Sequence, residues 1–142
     1  MYDPEELTDL PPRPSRARGP RILVVDDDPD FLELAEAALT GEGFQVELAR
    51  TPGEAVMSAV RSPPDVVLLD ILLRTGDGID VLDALRAEPE TRYVPVLACT
   101  AMGERDSAAL LTNLGFDAVM AKPLDLLQLA RELRATVPTR AE

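Results

Sequence analysis

Four strand-like runs in this chain end on side chains suited to chemistry. Residues 22–25 lead into Asp26, Asp27 and Asp28; residues 66–69 lead into Asp70. The run at 94–99 leads into Thr100, and the run at 116–121 leads into Lys122. Carboxylates brought together repel one another, and a divalent cation relieves the repulsion. A donor set of oxygens, without His or Cys, selects a hard ion such as Mg²⁺ or Mn²⁺. Asp27 and Asp70 are the candidate carboxylate ligands, with Asp26 holding a coordinated water. A cation beside a carboxylate, a hydroxyl and an ammonium suits phosphoryl transfer, whose transition state spreads negative charge over three equatorial oxygens. Asp70 is the candidate nucleophile, able to form an acyl phosphate. The cation, Lys122 and the Thr100 hydroxyl would each meet one phosphoryl oxygen, and backbone N–H groups after Asp70 could add donors.

Lys122 carries extra weight. The chain has 14 basic residues, of which Lys122 is the single lysine and the rest are arginines. A compact ammonium on a flexible stem fits one phosphoryl oxygen, whereas a guanidinium fork does not.

The elements that must position these groups follow from the apolar pattern. Strands are expected at 22–25, 44–49, 66–70, 94–100 and 116–122. Helices are expected at 29–39, from an N-cap at Thr51 to residue 60, at 79–87, at 104–114 stopped by Gly115, and from Pro123 to 136. Glu54 completes a capping box with Thr51. Asp28 and Asp30 read as caps of the first helix, and Gly76, Asp77 and Gly78 as a loop. Strict alternation of strands and helices calls for an α/β fold, a doubly wound five-stranded parallel sheet with five helices on its two faces. The runs at 22–25 and 94–99, and that at 66–70 up to its closing Asp70, are apolar and read as central strands. The alternating run at 44–49 reads as an edge, which favours the strand order 2-1-3-4-5, a flavodoxin-like arrangement. Ligands bind such sheets outside the C-terminal strand ends, where the strand order reverses.

Composition narrows the function classes. A net charge of −12 disfavours binding to nucleic acid or to an anionic membrane surface. No run approaches 18 apolar residues, so no membrane span is expected. One cysteine, Cys99, excludes an internal disulfide and is compatible with a cytoplasmic location; placed in an apolar strand, it reads as an inert thiol. There is no histidine for a metal site or a general base. Residues 1–20, rich in proline, read as an irregular or disordered arm, with residues 21–142 forming one domain. Asp26, Asp28 and Asp30 imitate the start of a calcium loop, but Phe31 and Ala37 occupy positions that need Gly and Glu. No G-x-x-x-x-G-K-[ST] loop supports nucleotide hydrolysis.

ILVVDDDPDF, PDVVLLDILL, VPVLACTA and AKP, in this order and at these intervals, resemble the four signature segments of response-regulator receiver domains (the CheY-like family of two-component signalling). The similarity covers about residues 21–137. It implies Asp26 and Asp27 as the acid pair, Asp70 as phosphoacceptor, and Leu72 as donor of a backbone carbonyl to Mg²⁺. It further implies Thr100 as the switch hydroxyl, Lys122 as the phosphate-binding lysine, and a cis Lys122–Pro123 bond. The implied partners are a sensor histidine kinase or phosphotransfer protein as donor and a downstream target protein. The last two helices and last strand would offer a homodimer or contact face. With the sequence stopping after the last helix, a stand-alone receiver without an output domain is expected, promoting its own phosphorylation but not acting as a turnover enzyme. Two positions depart from the family: Val119 replaces an aromatic, and Arg74 replaces a proline. Val119 leaves open a phosphorylation-independent interaction module on the same fold. An aspartyl-phosphate hydrolase is disfavoured because Leu72 stands where its acid/base aspartate belongs. Apolar Leu72 and Met102, at positions that govern water access in the family, imply slow autodephosphorylation.

Overall fold

A computed structural model describes residues 19–73, 76–100, 105–122 and 125–137. Strands β1 (Arg21–Val25), β2 (Gln45–Ala49), β3 (Val66–Asp70), β4 (Val96–Thr100) and β5 (Ala118–Ala121) form one sheet. All its pairings are parallel, and the order is β2-β1-β3-β4-β5. The expected order therefore holds. β3 is buried along its whole length, while β2 is only partly covered, as an edge strand would be.

Helices α1 (Pro29–Gly41), α2 (Pro52–Arg61), α3 (Gly78–Ala87), α4 (Arg105–Leu114) and α5 (Leu126–Thr136) connect the strands and follow the last one. Alternate strand residues point to opposite faces, and this divides the core into two layers. Ile22, Val24, Val66, Leu68, Leu97 and Cys99 pack against Leu32, Ala35 and Leu39 of α1 and Leu129, Ala130 and Leu133 of α5. Leu23, Val25, Val67, Leu69, Val96 and Ala98 pack against Ala55 and Ala59 of α2, Val81, Leu82 and Leu85 of α3, and Leu111 of α4. Each large aliphatic side chain so buried contributes about 1.5–3 kcal/mol relative to exposure. The sheet thus gains a rigid centre, and its C-terminal strand ends are held in fixed register.

Local chemistry sets the helix ends. Asp28 caps α1 by accepting from Asp30 N at 3.0 Å, and Pro29 stands in the first turn. Asp30 itself lies in that turn and is not the cap. Thr51 Oγ1 accepts from Glu54 N at 3.2 Å, while Glu54 Oε1 accepts from Arg50 N at 3.0 Å, one residue earlier than the expected reciprocal bond. Gly115 ends α4 at φ +116°, a conformation that suits glycine.

Several expectations need correction. α5 does not start at Pro123: Asp125 is its N-cap, accepting from Leu127 N at 3.0 Å and Gln128 N at 3.3 Å. Its carboxylate satisfies two N–H groups of the first turn, which sets the start of the helix. β4 begins at Val96 and not at residue 94, and β5 covers 118–121 and not 116–122. Residues 72–73 and 76–77 form a two-stranded antiparallel hairpin (Leu72–Leu73 with Gly76–Asp77) where a plain loop was expected. Gly19 and Pro20 belong to the ordered edge, accepting from Gln45 Nε2 and Gln45 N at 3.0 and 2.9 Å. The rest of the expected arm, Arg74, Met102, Pro123 and the Thr100 side chain lie outside what is described.

Candidate functional site

β1 and β3 are neighbours in the centre of the sheet, so the residues at their C-terminal ends meet. Asp26 follows β1 directly and is 1% exposed; Asp70 ends β3 and is 9% exposed. Asp27 lies beside them, half-buried. Carboxylate oxygens of Asp26, Asp27 and Asp70 all fall within 4.8 Å of one another. Two other contacts fix Asp26: its backbone N–H donates to Ala49 O at 3.1 Å, and its Oδ1 accepts from Asp28 N at 2.9 Å. Asp26 thus supports the turn into α1 while its other oxygen faces the cluster.

β5 brings the cation. Lys122, one residue beyond that strand, donates from Nζ to Asp26 Oδ2 at 2.7 Å and to Asp70 Oδ2 at 3.3 Å. Burial works against its charge. The hydrogen bond to Asp26 and the fields of Asp26 and Asp70 outweigh that cost and raise its pKa above the ordinary lysine value. Its Nζ also lies 5.0 Å from the centroid of the Phe31 ring. Thr100 ends β4 and pairs in register with Ala121, beside Lys122.

The residues after Asp70 are held tightly. Ile71 N donates to Cys99 O at 3.1 Å, so the first backbone N–H after Asp70 is engaged by the sheet. Gly78 N donates to Ile71 O at 3.0 Å, which docks the start of α3 against the end of β3. A Cβ on Gly78 would lie 2.7 Å from Asp70 O and 2.8 Å from Ile71 Cα, so only glycine fits that approach. Leu72, the expected carbonyl donor, pairs with Asp77 in the hairpin beside this junction. Cys99 is buried in β4. Burial, countered by Lys122 and assisted by Asp70 and Asp26, pushes its thiol up to about 12, which agrees with an inert thiol.

The structure therefore gathers Asp26, Asp27, Asp70 and Lys122, as the sequence led us to expect. Two contributors were missed. Gly78 was read only as part of a loop, and Phe31 only as a residue that breaks the imitation of a calcium loop. The Asp-Gly pair at 77–78 held a signal for the first; nothing local in the sequence linked Phe31 to Lys122.

The sequence model for the response regulator receiver domain matches residues 22–134. The chain belongs to this receiver family. It is 37% identical over 122 residues to the transcriptional regulatory protein PrrA of Mycobacterium tuberculosis, covering 86% of this chain and 52% of PrrA. It is 36% identical over 115 residues to the response regulator PleD of Caulobacter vibrioides, covering 81% of this chain and 25% of PleD. The receiver chain thus spans about half the length of PrrA and a quarter of PleD. Among solved structures it resembles the receiver domain of a sensor histidine kinase from Pseudomonas aeruginosa, described with a magnesium ion coordinated in the active site cleft. That likeness has a TM-score of 0.75 and 32% identity, covering 82% of this chain and 96% of the other. A receiver with three clustered carboxylates has the donor set a hard divalent cation needs: oxygens only, with charge in excess. No described helix is long and apolar enough to cross a membrane.

Proposed function

We propose that this receiver accepts a phosphoryl group on Asp70 from a phosphohistidine of a sensor histidine kinase or phosphotransfer protein. The observation that carries the reading is Lys122, bonded at once to Asp26 and Asp70 inside a three-carboxylate cluster. An Asp70 carboxylate oxygen attacks phosphorus as the donor's P–N bond breaks. The bonding pair returns to the donor nitrogen, and an O–P bond forms on Asp70. Asp26, Asp27 and Asp70, with the Leu72 carbonyl, would hold Mg²⁺. When bound, the ion would neutralise charge on the phosphoryl oxygens. Lys122 meets one developing negative oxygen, and the Thr100 hydroxyl another. In this reading the domain is a switch and not a turnover enzyme, and its state is read through contact with a downstream target protein.

Phosphoryl uptake tests this reading. The purified chain, incubated with Mg²⁺ and acetyl phosphate, gains one phosphoryl mass, and Asp70→Asn does not. No gain on the wild type, or the same gain on the variant, would sink it.

Val119 motivates a second reading. It is half-buried on the α2–α4 face, where it packs against the core in place of an aromatic. A receiver that signals without phosphorylation would bind its partner equally well as Asp70→Asn.

A further inference from the structure

We propose that Phe31 is a positioning residue for Lys122, holding the ammonium over its ring face while Asp70 changes from carboxylate to acyl phosphate. The inference rests on the phosphoacceptor reading of Asp70 and assigns to that site a residue from α1.

The Lys122 Nζ lies 5.0 Å from the Phe31 centroid, within the range over which a ring's negative face attracts a cation. The ring is well anchored. Phe31 is the third residue of α1, just past the Asp28 cap, and it packs half-buried against the layer built by α1, α5 and the sheet. Lys122 is less constrained. Its stem has four rotatable carbons, and its side chain is 30% exposed. Asp26 and Asp70 hold the ammonium through charge, at 2.7 and 3.3 Å.

Phosphoryl transfer changes that balance. As an acyl phosphate Asp70 no longer presents a charged carboxylate to Lys122, and the ammonium turns to a phosphoryl oxygen. Asp26, buried and fixed by Asp28 N, would otherwise keep it. The Phe31 ring is neutral, so its attraction does not depend on the state of Asp70. It therefore offers the ammonium a third point of support throughout the exchange. A second cation–ring pair among the described residues, Arg134 at 5.2 Å over Phe44, belongs to a different part of the molecule and supplies a control. Phe44 immediately precedes β2, at the opposite end of that strand from Ala49 and Asp26.

Ring fluorination provides the test, because it drains the negative face while leaving the ring's shape nearly unchanged. The full chain is prepared with Phe31 replaced by mono-, di- and trifluorophenylalanine, and separately with the same series at Phe44. Phosphorylation by acetyl phosphate in Mg²⁺ is followed by intact mass across donor concentrations. The maximal rate is expected to fall stepwise across the Phe31 series, by roughly tenfold in total. The half-saturating donor concentration stays unchanged, the Phe44 series is flat, and Phe31→Tyr keeps the wild-type rate. A flat Phe31 series would overturn the inference and leave Phe31 a packing residue, as would Phe31→Tyr being as slow as the trifluoro form. If the unsubstituted chain takes up no phosphoryl group, the Asp70 reading itself fails and the inference falls with it.

Discussion

Lys122 and Asp26 stand 96 positions apart in the chain, yet Lys122 Nζ donates to Asp26 Oδ2 at 2.7 Å. The contact joins the ends of β1 and β5, which lie on opposite sides of β3 and β4. It supplies positive charge to a buried carboxylate that would otherwise be costly. Burial opposes the lysine's charge, but the two aspartates prevail and raise its pKa. The stabilisation from this shift is complete below the unfolded lysine value of 10.5 and is lost as pH rises through the higher folded value. Lys122 therefore stays charged at every pH at which the receiver would signal.

Mg²⁺ should stabilise the fold through the same cluster. At a hundred times its dissociation constant, a ligand specific for the native state adds about 2.7 kcal/mol, or roughly 5–10 °C in Tm for a domain of this size. Asp27→Asn is expected to lose most of that gain. Thermal melts with Mg²⁺ and with EDTA measure it; equal Mg²⁺ shifts in both proteins would remove Asp27 from the ligand set.

Gly78→Ala should weaken the fold. The added methyl meets backbone at the end of β3, at 2.7 and 2.8 Å, and no side chain can swing aside to make room. Overpacking of this kind costs about 1–3 kcal/mol. Urea unfolding should show a lower midpoint with an unchanged slope, and an unchanged midpoint would mean that α3 shifts freely.

Cys99 should resist alkylation in the native protein at pH 8 and react on unfolding. Its pKa is raised from 9.0 to about 12, so between those values the native chain holds a proton that the unfolded chain releases. The stability it contributes is full below pH 9 and is lost as pH approaches about 12. Iodoacetamide labelling with and without denaturant checks the first statement; rapid native labelling would contradict it.

The phosphorylated form should be long-lived. Leu72 and Met102 are apolar at positions expected to govern water access to Asp70. After removal of the phosphodonor, intact-mass measurements should find the phosphoryl group retained for minutes or longer. Loss within seconds at room temperature would show that water reaches the acyl phosphate freely.

The sheet was legible in the sequence because each strand announced itself. The run at 66–70 is apolar to its last residue and ends on Asp70, and the observed strand has the same bounds. The alternation at 44–49 marked β2 as an edge, which favoured the strand order that the structure has. Because that order brings β1 and β3 together, Asp26, Asp27 and Asp70 could be grouped before their distances were known. The pairing of residues 72–73 with 76–77 was not legible, since two-residue strands show no periodicity. The α5 start was misplaced because a proline is a conspicuous signal, whereas the Asp125 cap depends on the direction its carboxylate takes. The Phe31–Lys122 contact depends on how α1 lies across the sheet, which no local pattern encodes.

Asp70, among all the aspartates here, is the residue expected to carry the phosphoryl group. Borohydride reduces an acyl phosphate to the alcohol, converting a phosphorylated aspartate to homoserine, which peptide sequencing by mass spectrometry can locate. After treatment with acetyl phosphate and Mg²⁺, homoserine is predicted at position 70 alone. Homoserine at position 26 or 27, or at no position despite a gain in intact mass, would contradict the account.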